Sequence, residues 1–95
     1  MSAITRPKFE IGQLVATPSA VEALSRNGTD DSQYVNRHRG GDWGEVNEDD
    51  VRANEAALTQ DLPILSAYML KDSTRIWIIT EGDRSATTIL LPEEY

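Results

Sequence analysis

Ile64-Leu65-Ser66-Ala67-Tyr68-Met69-Leu70, Arg75-Ile76-Trp77-Ile78-Ile79-Thr80-Glu81 and Ala86-Thr87-Thr88-Ile89-Leu90-Leu91 follow one another along the chain. Only Lys71-Asp72-Ser73-Thr74 and Gly82-Asp83-Arg84-Ser85 separate them. The three runs are rich in β-branched and aromatic residues, and both separators have turn composition. Together they predict an antiparallel three-stranded meander. Side chains alternate along a strand, so Ile76 and Ile78 fall on one face of the middle run and Trp77 and Ile79 on the other. A strand apolar on both faces is either covered on both sides or meets a partner on one.

Upstream of the meander the period changes from two to that of a helix. Asn47 is a strong N-cap, followed by Glu48, Asp49 and Asp50, whose charges suit the positive end of a helix dipole. Val51, Asn54, Ala57 and Leu58 mark the inward face of that helix, which is expected to run to about Thr59 before Asp61-Leu62-Pro63 breaks it. Residues 42–46 (Asp-Trp-Gly-Glu-Val) read as a loop anchored by an aromatic. A shorter helix, capped by Asp30 or Asp31, is expected through about His38, with Tyr34 and His38 one turn apart and Gly40-Gly41 as its stop. Further back, Thr17-Pro18 opens a helix carrying Ala20, Val21 and Leu24 on one stripe, and Asn27-Gly28 closes it. Residues 9–16 give a short strand interrupted by Gly12, and residues 1–8 read as a flexible N-terminal arm. The expected domain is therefore residues 9–95. Its fold class is α+β: an antiparallel sheet of about four strands packed against two to three N-terminal helices.

Composition sets the outer limits. A chain of 95 residues is one small domain. It has no cysteine, which rules out a disulfide framework, thiol chemistry and a cysteine-based zinc site. Sixteen acidic residues against nine basic give a net charge of −7, which disfavours binding to bulk nucleic acid or an anionic membrane. Residues 1–40 are nearly balanced, whereas residues 41–95 hold twelve of the sixteen carboxylates. No apolar run is long enough to span a bilayer, and the N-terminus lacks the apolar core of a signal peptide. A cytoplasmic protein is the expectation.

Arg39-Gly40-Gly41-Asp42-Trp43-Gly44-Glu45-Val46, the stretch from Ile76 to Tyr95, Leu65-Ser66-Ala67-Tyr68 and Ala16-Thr17-Pro18 carry a resemblance. From about residue 11 onward the chain resembles a family of small bacterial proteins of similar length that are often plasmid-related. The resemblance implies a single-domain protein carried on plasmids, integrated elements or prophages. It implies no activity and carries over no catalytic residue. Relatives generally have Ala before Asp83, where this chain has Gly82.

Four groups of residues are candidates for function. His38, flanked by Arg37 and Arg39, titrates near neutrality, and Asp42 is placed to orient it as an acid/base pair. The bland alternative is a histidine that packs and bonds locally. Glu81 and Asp83, beside Arg84 and hydroxyls, have the chemistry to hold Mg²⁺ or bind a phosphate, or they form a solvated turn with an Asp–Arg pair. Trp43 either closes over the core as a loop lid or is offered to a partner as an aromatic anchor. Asp42, Glu45, Glu48, Asp49, Asp50 and Glu55 form a dense acidic group, suited to contacting a basic, nucleic-acid-binding protein surface or simply to solubility.

The sequence reading is thus a small acidic interaction protein with no cofactor and no assigned metal. Its expected partner-binding residues are Asp42, Trp43, Glu45, Glu48, Asp49, Asp50 and Glu55. Its expected role is to modulate or inhibit a host nucleic-acid-handling or defence complex. A metal-dependent hydrolase or nuclease using His38, Asp42, Glu81 and Asp83 is the alternative from another class. A homodimer through strand 75–81 is the third.

Overall fold

The meander forms as its alternation requires. In the computed structural model, which describes residues 6–95, β2 (Ile64–Met69) and β3 (Arg75–Thr80) pair antiparallel from Ile64↔Thr80 to Met69↔Arg75. β4 (Ala86–Leu90) lies antiparallel on the other side of β3, from Trp77↔Leu90 to Thr80↔Thr87. The first strand, β1 (Gln13–Ala16), is shorter than residues 9–16 and joins the far side of β4 in parallel. The sheet order is β1-β4-β3-β2, so the sheet is mixed rather than wholly antiparallel. Gly12 permits the junction: its φ is +60°, and a Cβ there would stand 2.2 Å from the Ser85 carbonyl oxygen. The arm expected over residues 1–8 lies partly outside the described residues; within them, the Lys8 N–H donates to the Arg39 carbonyl at 2.7 Å.

The helices begin and end where their caps place them. Thr17 accepts from the Ala20 N–H and Pro18 takes the first position of α1 (Pro18–Arg26), with Gly28 at φ +66° beyond its end. α2 (Ser32–Arg39) follows Asp31, which makes no capping bond; the Asp30 carboxylate accepts from the Ser32 N–H instead. α3 (Glu48–Ala57) is capped by Asn47, which accepts from the Asp50 N–H at 2.8 Å, and its first turn holds Glu48, Asp49 and Asp50. A final 3₁₀ turn spans Pro92–Glu94.

One face of the sheet carries the core. Ile76, Ile78 and Ile89 pack against Ala20, Ala23 and Leu24 of α1 and Tyr34 and Val35 of α2. Full burial of each such isoleucine contributes about 1.5–3 kcal/mol. A smaller cluster joins Phe9, Trp43, Ala57 and Ile64, and so fastens α3 and the N-terminal segment to the end of the sheet. The β2 edge of the sheet is covered by its neighbours. At β2 the Asn54 side-chain amide mimics a strand: it donates to the Leu65 carbonyl at 2.7 Å and accepts from the Leu65 N–H at 3.1 Å. Next to it Ala67 exchanges backbone bonds with Trp43 and Glu45. This approach requires Gly44, where a Cβ would stand 2.0 Å from the Ala67 carbonyl oxygen. An outer strand that would invite a further chain is thereby covered.

Candidate functional site

His38 lies in the interior rather than in a cleft, with none of its surface exposed. α2 delivers it onto the sheet's core face between Phe9 and Trp43, whose ring centroids stand 5.1 and 6.1 Å from its own. Nδ1 is 2.6 Å from the Ser66 hydroxyl and Nε2 is 2.9 Å from the Thr80 hydroxyl. Thr80 in turn is 2.7 Å from the Thr87 hydroxyl, which donates to the Ile11 carbonyl at 2.8 Å. Each hydroxyl has one proton, and this fixes the direction of the whole chain. Thr87 donates to Ile11, so Thr80 must donate to Thr87 and must accept from His38. Nε2 therefore carries the proton, and the bare Nδ1 accepts from Ser66. Burial pushes the imidazole pKa down from 6.5 to about 4, so the ring is neutral at physiological pH. This histidine holds α2 to β2, β3 and, through the hydroxyls, β4 and the segment before β1. The expected alternative to catalysis was a local contact; the observed bonds are long-range.

Asp42 does not orient His38. Its carboxylate accepts from the Arg37 Nε at 2.7 Å, and that bond holds Asp42 below the usual carboxylate range. The Arg37 guanidinium lies 4.5 Å over the Tyr68 ring, and the Tyr68 hydroxyl donates to the Asp42 carbonyl at 2.6 Å. Arg37, Asp42 and Tyr68 thus lock the α2–loop corner, and the acid/base pairing of His38 with Asp42 is not formed.

The turn after β3 is also structural. The Asp83 carboxylate accepts from the Ser85 N–H, and no Asp83–Arg84 ion pair is present among the described residues. Arg84, at φ +62°, turns inward instead. Its Nη1 donates to the Leu62, Glu81 and Gly82 carbonyls and its Nη2 to those of Ala57 and Gln60. These five bonds occupy both terminal nitrogens, so neither is left to face a phosphate. They also tie off the C-terminal end of α3, where carbonyls lack helical partners and a cation is favoured. Glu81 is exposed. Among the described residues no group of three or more His, Asp or Glu is placed to hold a metal. Of the four residues assigned to the hydrolase alternative, His38, Asp42 and Asp83 are each engaged in separate hydrogen bonds and Glu81 is exposed.

Trp43 is 5% exposed and belongs to the smaller core cluster, which is the lid arrangement and not a presented anchor. Its indole N–H donates to the Glu55 carboxylate at 3.0 Å rather than to backbone. Of the other acidic candidates, Glu48 and Asp49 have side chains 94% and 87% exposed and flank Arg52, while Glu45 pairs with Arg75 at 3.6 Å. Glu45 and Asp50 also border a groove of about 310 Å³ over Leu65, Ala67 and Trp77. The strand alternation puts Trp77 on one face of the middle run, and nothing in the sequence links it with the acidic residues.

Comparison with protein-family models, with curated proteins and with solved structures returns no match. Within the described residues, no helix is long and apolar enough to cross a membrane.

Proposed function

We propose that this chain is a small acidic interaction module that docks on a basic protein surface of the kind that handles nucleic acid. The observation that carries the reading is the presentation of carboxylates at the start of α3, where Glu48 and Asp49 project with side chains 94% and 87% exposed. Glu45 and Asp50 continue this acidic edge toward the open face of the sheet. Such an edge repels phosphates and attracts the surfaces that bind them. The reactive residues support the same reading from the other side, because His38 is sealed in the interior and Asp42 is held by Arg37. The resemblance to plasmid-related proteins supplies the setting: a mobile-element product that modulates or inhibits a host nucleic-acid-handling or defence complex.

Affinity capture from a bacterial lysate tests this, using the wild type and a Glu48→Lys/Asp49→Lys/Asp50→Lys variant, with bound proteins identified by mass spectrometry. The expected result is a basic nucleic-acid-handling protein held by the wild type, released by salt and lost from the variant. Reversing the three charges also removes favourable dipole interactions of about 0.3–1 kcal/mol each. Circular dichroism therefore checks that the variant is folded. Equal recovery on both baits contradicts the assigned surface.

A further inference from the structure

α1 and α2 cover one face of the sheet and α3 docks along its β2 edge, and the opposite face is unusually apolar for one that α1 and α2 leave open. Strand alternation and register place Val15, Thr88, Ile79 and Leu65 in one row across it, and Leu90, Trp77 and Ala67 in the next. An open antiparallel face ordinarily alternates to polar residues. Arg75 is the one charged residue that the four strands place there, at the strand end beside Met69. Ala67 and Leu90 are buried nonetheless. The segment leading into α3 rises along one side and the terminal 3₁₀ turn along the other, which leaves a groove of about 310 Å³ between them.

The rim of the groove specifies its occupant. Glu45 and Asp50 border it, and Arg75, the cation at the rim, is already paired with Glu45 at 3.6 Å. Asp50 has no ion-pair partner among the described residues, because Arg52 turns to Glu48 and Asp49. The groove is therefore lined by Trp77, whose ring meets the exposed Tyr95 ring edge-on at 5.6 Å between centroids, and by a carboxylate with no ion-pair partner among the described residues. A planar cation satisfies both features: it stacks on an aromatic face and forks its N–H groups onto a carboxylate. A second copy of this chain would bring the same Glu45 and Asp50 and a further net charge of −7, so self-association through this face opposes like charges.

The geometry points to the Trp77 groove as the anchor site for an arginine side chain of a basic protein segment, with the guanidinium lying on the indole and hydrogen-bonded to Asp50. This rests on the acidic-module reading above and locates its central contact on the sheet rather than on the exposed side of α3.

The test is a titration of the ¹⁵N-labelled full chain with hexa-arginine, hexa-lysine and hexa-glutamate peptides at moderate salt. The two tryptophans supply separate indole N–H signals, one bonded to Glu55 in the interior and one in the groove. The expected result is a saturable shift of the Trp77 signal with hexa-arginine, an unmoved Trp43 signal, and binding about fivefold weaker with hexa-lysine. Trp77→Leu and, separately, Asp50→Asn should each weaken hexa-arginine binding severalfold with the spectrum still dispersed. Shifts at the Glu48 and Asp49 amides without movement of Trp77 would overturn the groove while leaving the acidic module standing. No shift with either basic peptide would overturn both. Movement of the Trp77 signal with protein concentration alone would make the occupant a second copy and overturn the arginine assignment.

Discussion

An imidazole buried with no counter-charge has its protonation state set by its surroundings. In the unfolded chain a histidine takes up a proton near pH 6.5, whereas burial keeps His38 neutral down to about 4. Between those values the unfolded chain binds the additional proton, so stability falls as the pH drops through that window. The expected loss from pH 7 to pH 5 is about 2 kcal/mol. The lowered carboxylates Asp30, Asp42, Asp72, Asp83 and Glu94 contribute stability that is present above their unfolded pKa values. Their contributions are lost further down, as the pH falls below the ordinary carboxylate range, and do not confuse the His38 window. Urea denaturation at pH 5, 6 and 7 measures this. His38→Gln should flatten the slope in that window while costing roughly 1–3 kcal/mol at pH 7, because Ser66 or Thr80 is left without a partner. Equal wild-type stability at pH 5 and pH 7 would place the ring in contact with water.

Among the elements, α3 is held along its C-terminal half by polar groups, with Ala57 as its buried apolar contact. Asn54 docks it on the edge of β2, and Arg84 gathers the carbonyls that follow its last turn. Arg84→Ala should destabilise the domain by about 2–3 kcal/mol. It should also raise hydrogen exchange selectively over residues 57–62 and 81–85. Arg84→Lys should recover little, since one ammonium cannot span five carbonyls. Uniform exchange across the domain would contradict the clamp. These docking bonds show which parts of the fold were legible in advance. The limits of α1 and the start of α3 follow from Thr17, Pro18, Gly28 and Asn47, whose effects are local, and the meander follows from alternation and two turns. The parallel pairing of β1 with β4 left no local mark, because its partners lie at opposite ends of the chain. Arg84 read as a surface side chain because its carbonyl partners are set by tertiary approach. One signal was available for the interior chain. Ser66, Thr80 and Thr87 are hydroxyl residues among the apolar core-facing positions of three neighbouring strands, and buried hydroxyls require hydrogen-bond partners.

Seen across the molecule, these bonds divide the chain by chemistry. The helix-covered face seals in its one histidine, and the residues that resemble catalytic or metal-binding sets in sequence are distributed among structural bonds. Of the carboxylates in residues 41–95, Glu48, Asp49 and Asp50 stand at the start of α3, and Glu45 and Asp50 border the groove on the open sheet face. Under the proposed function the acidic side supplies the contact with the partner, and His38 acts as a structural group. The measurement that tests this division most directly is a ¹⁵N NMR titration of the His38 imidazole from pH 8 to pH 4. Nε2 is expected to be protonated and Nδ1 bare, with no titration above about pH 5. A ring that titrates near pH 6.5, or one protonated at Nδ1, would contradict the buried chain and return His38 to the candidates for acid/base chemistry.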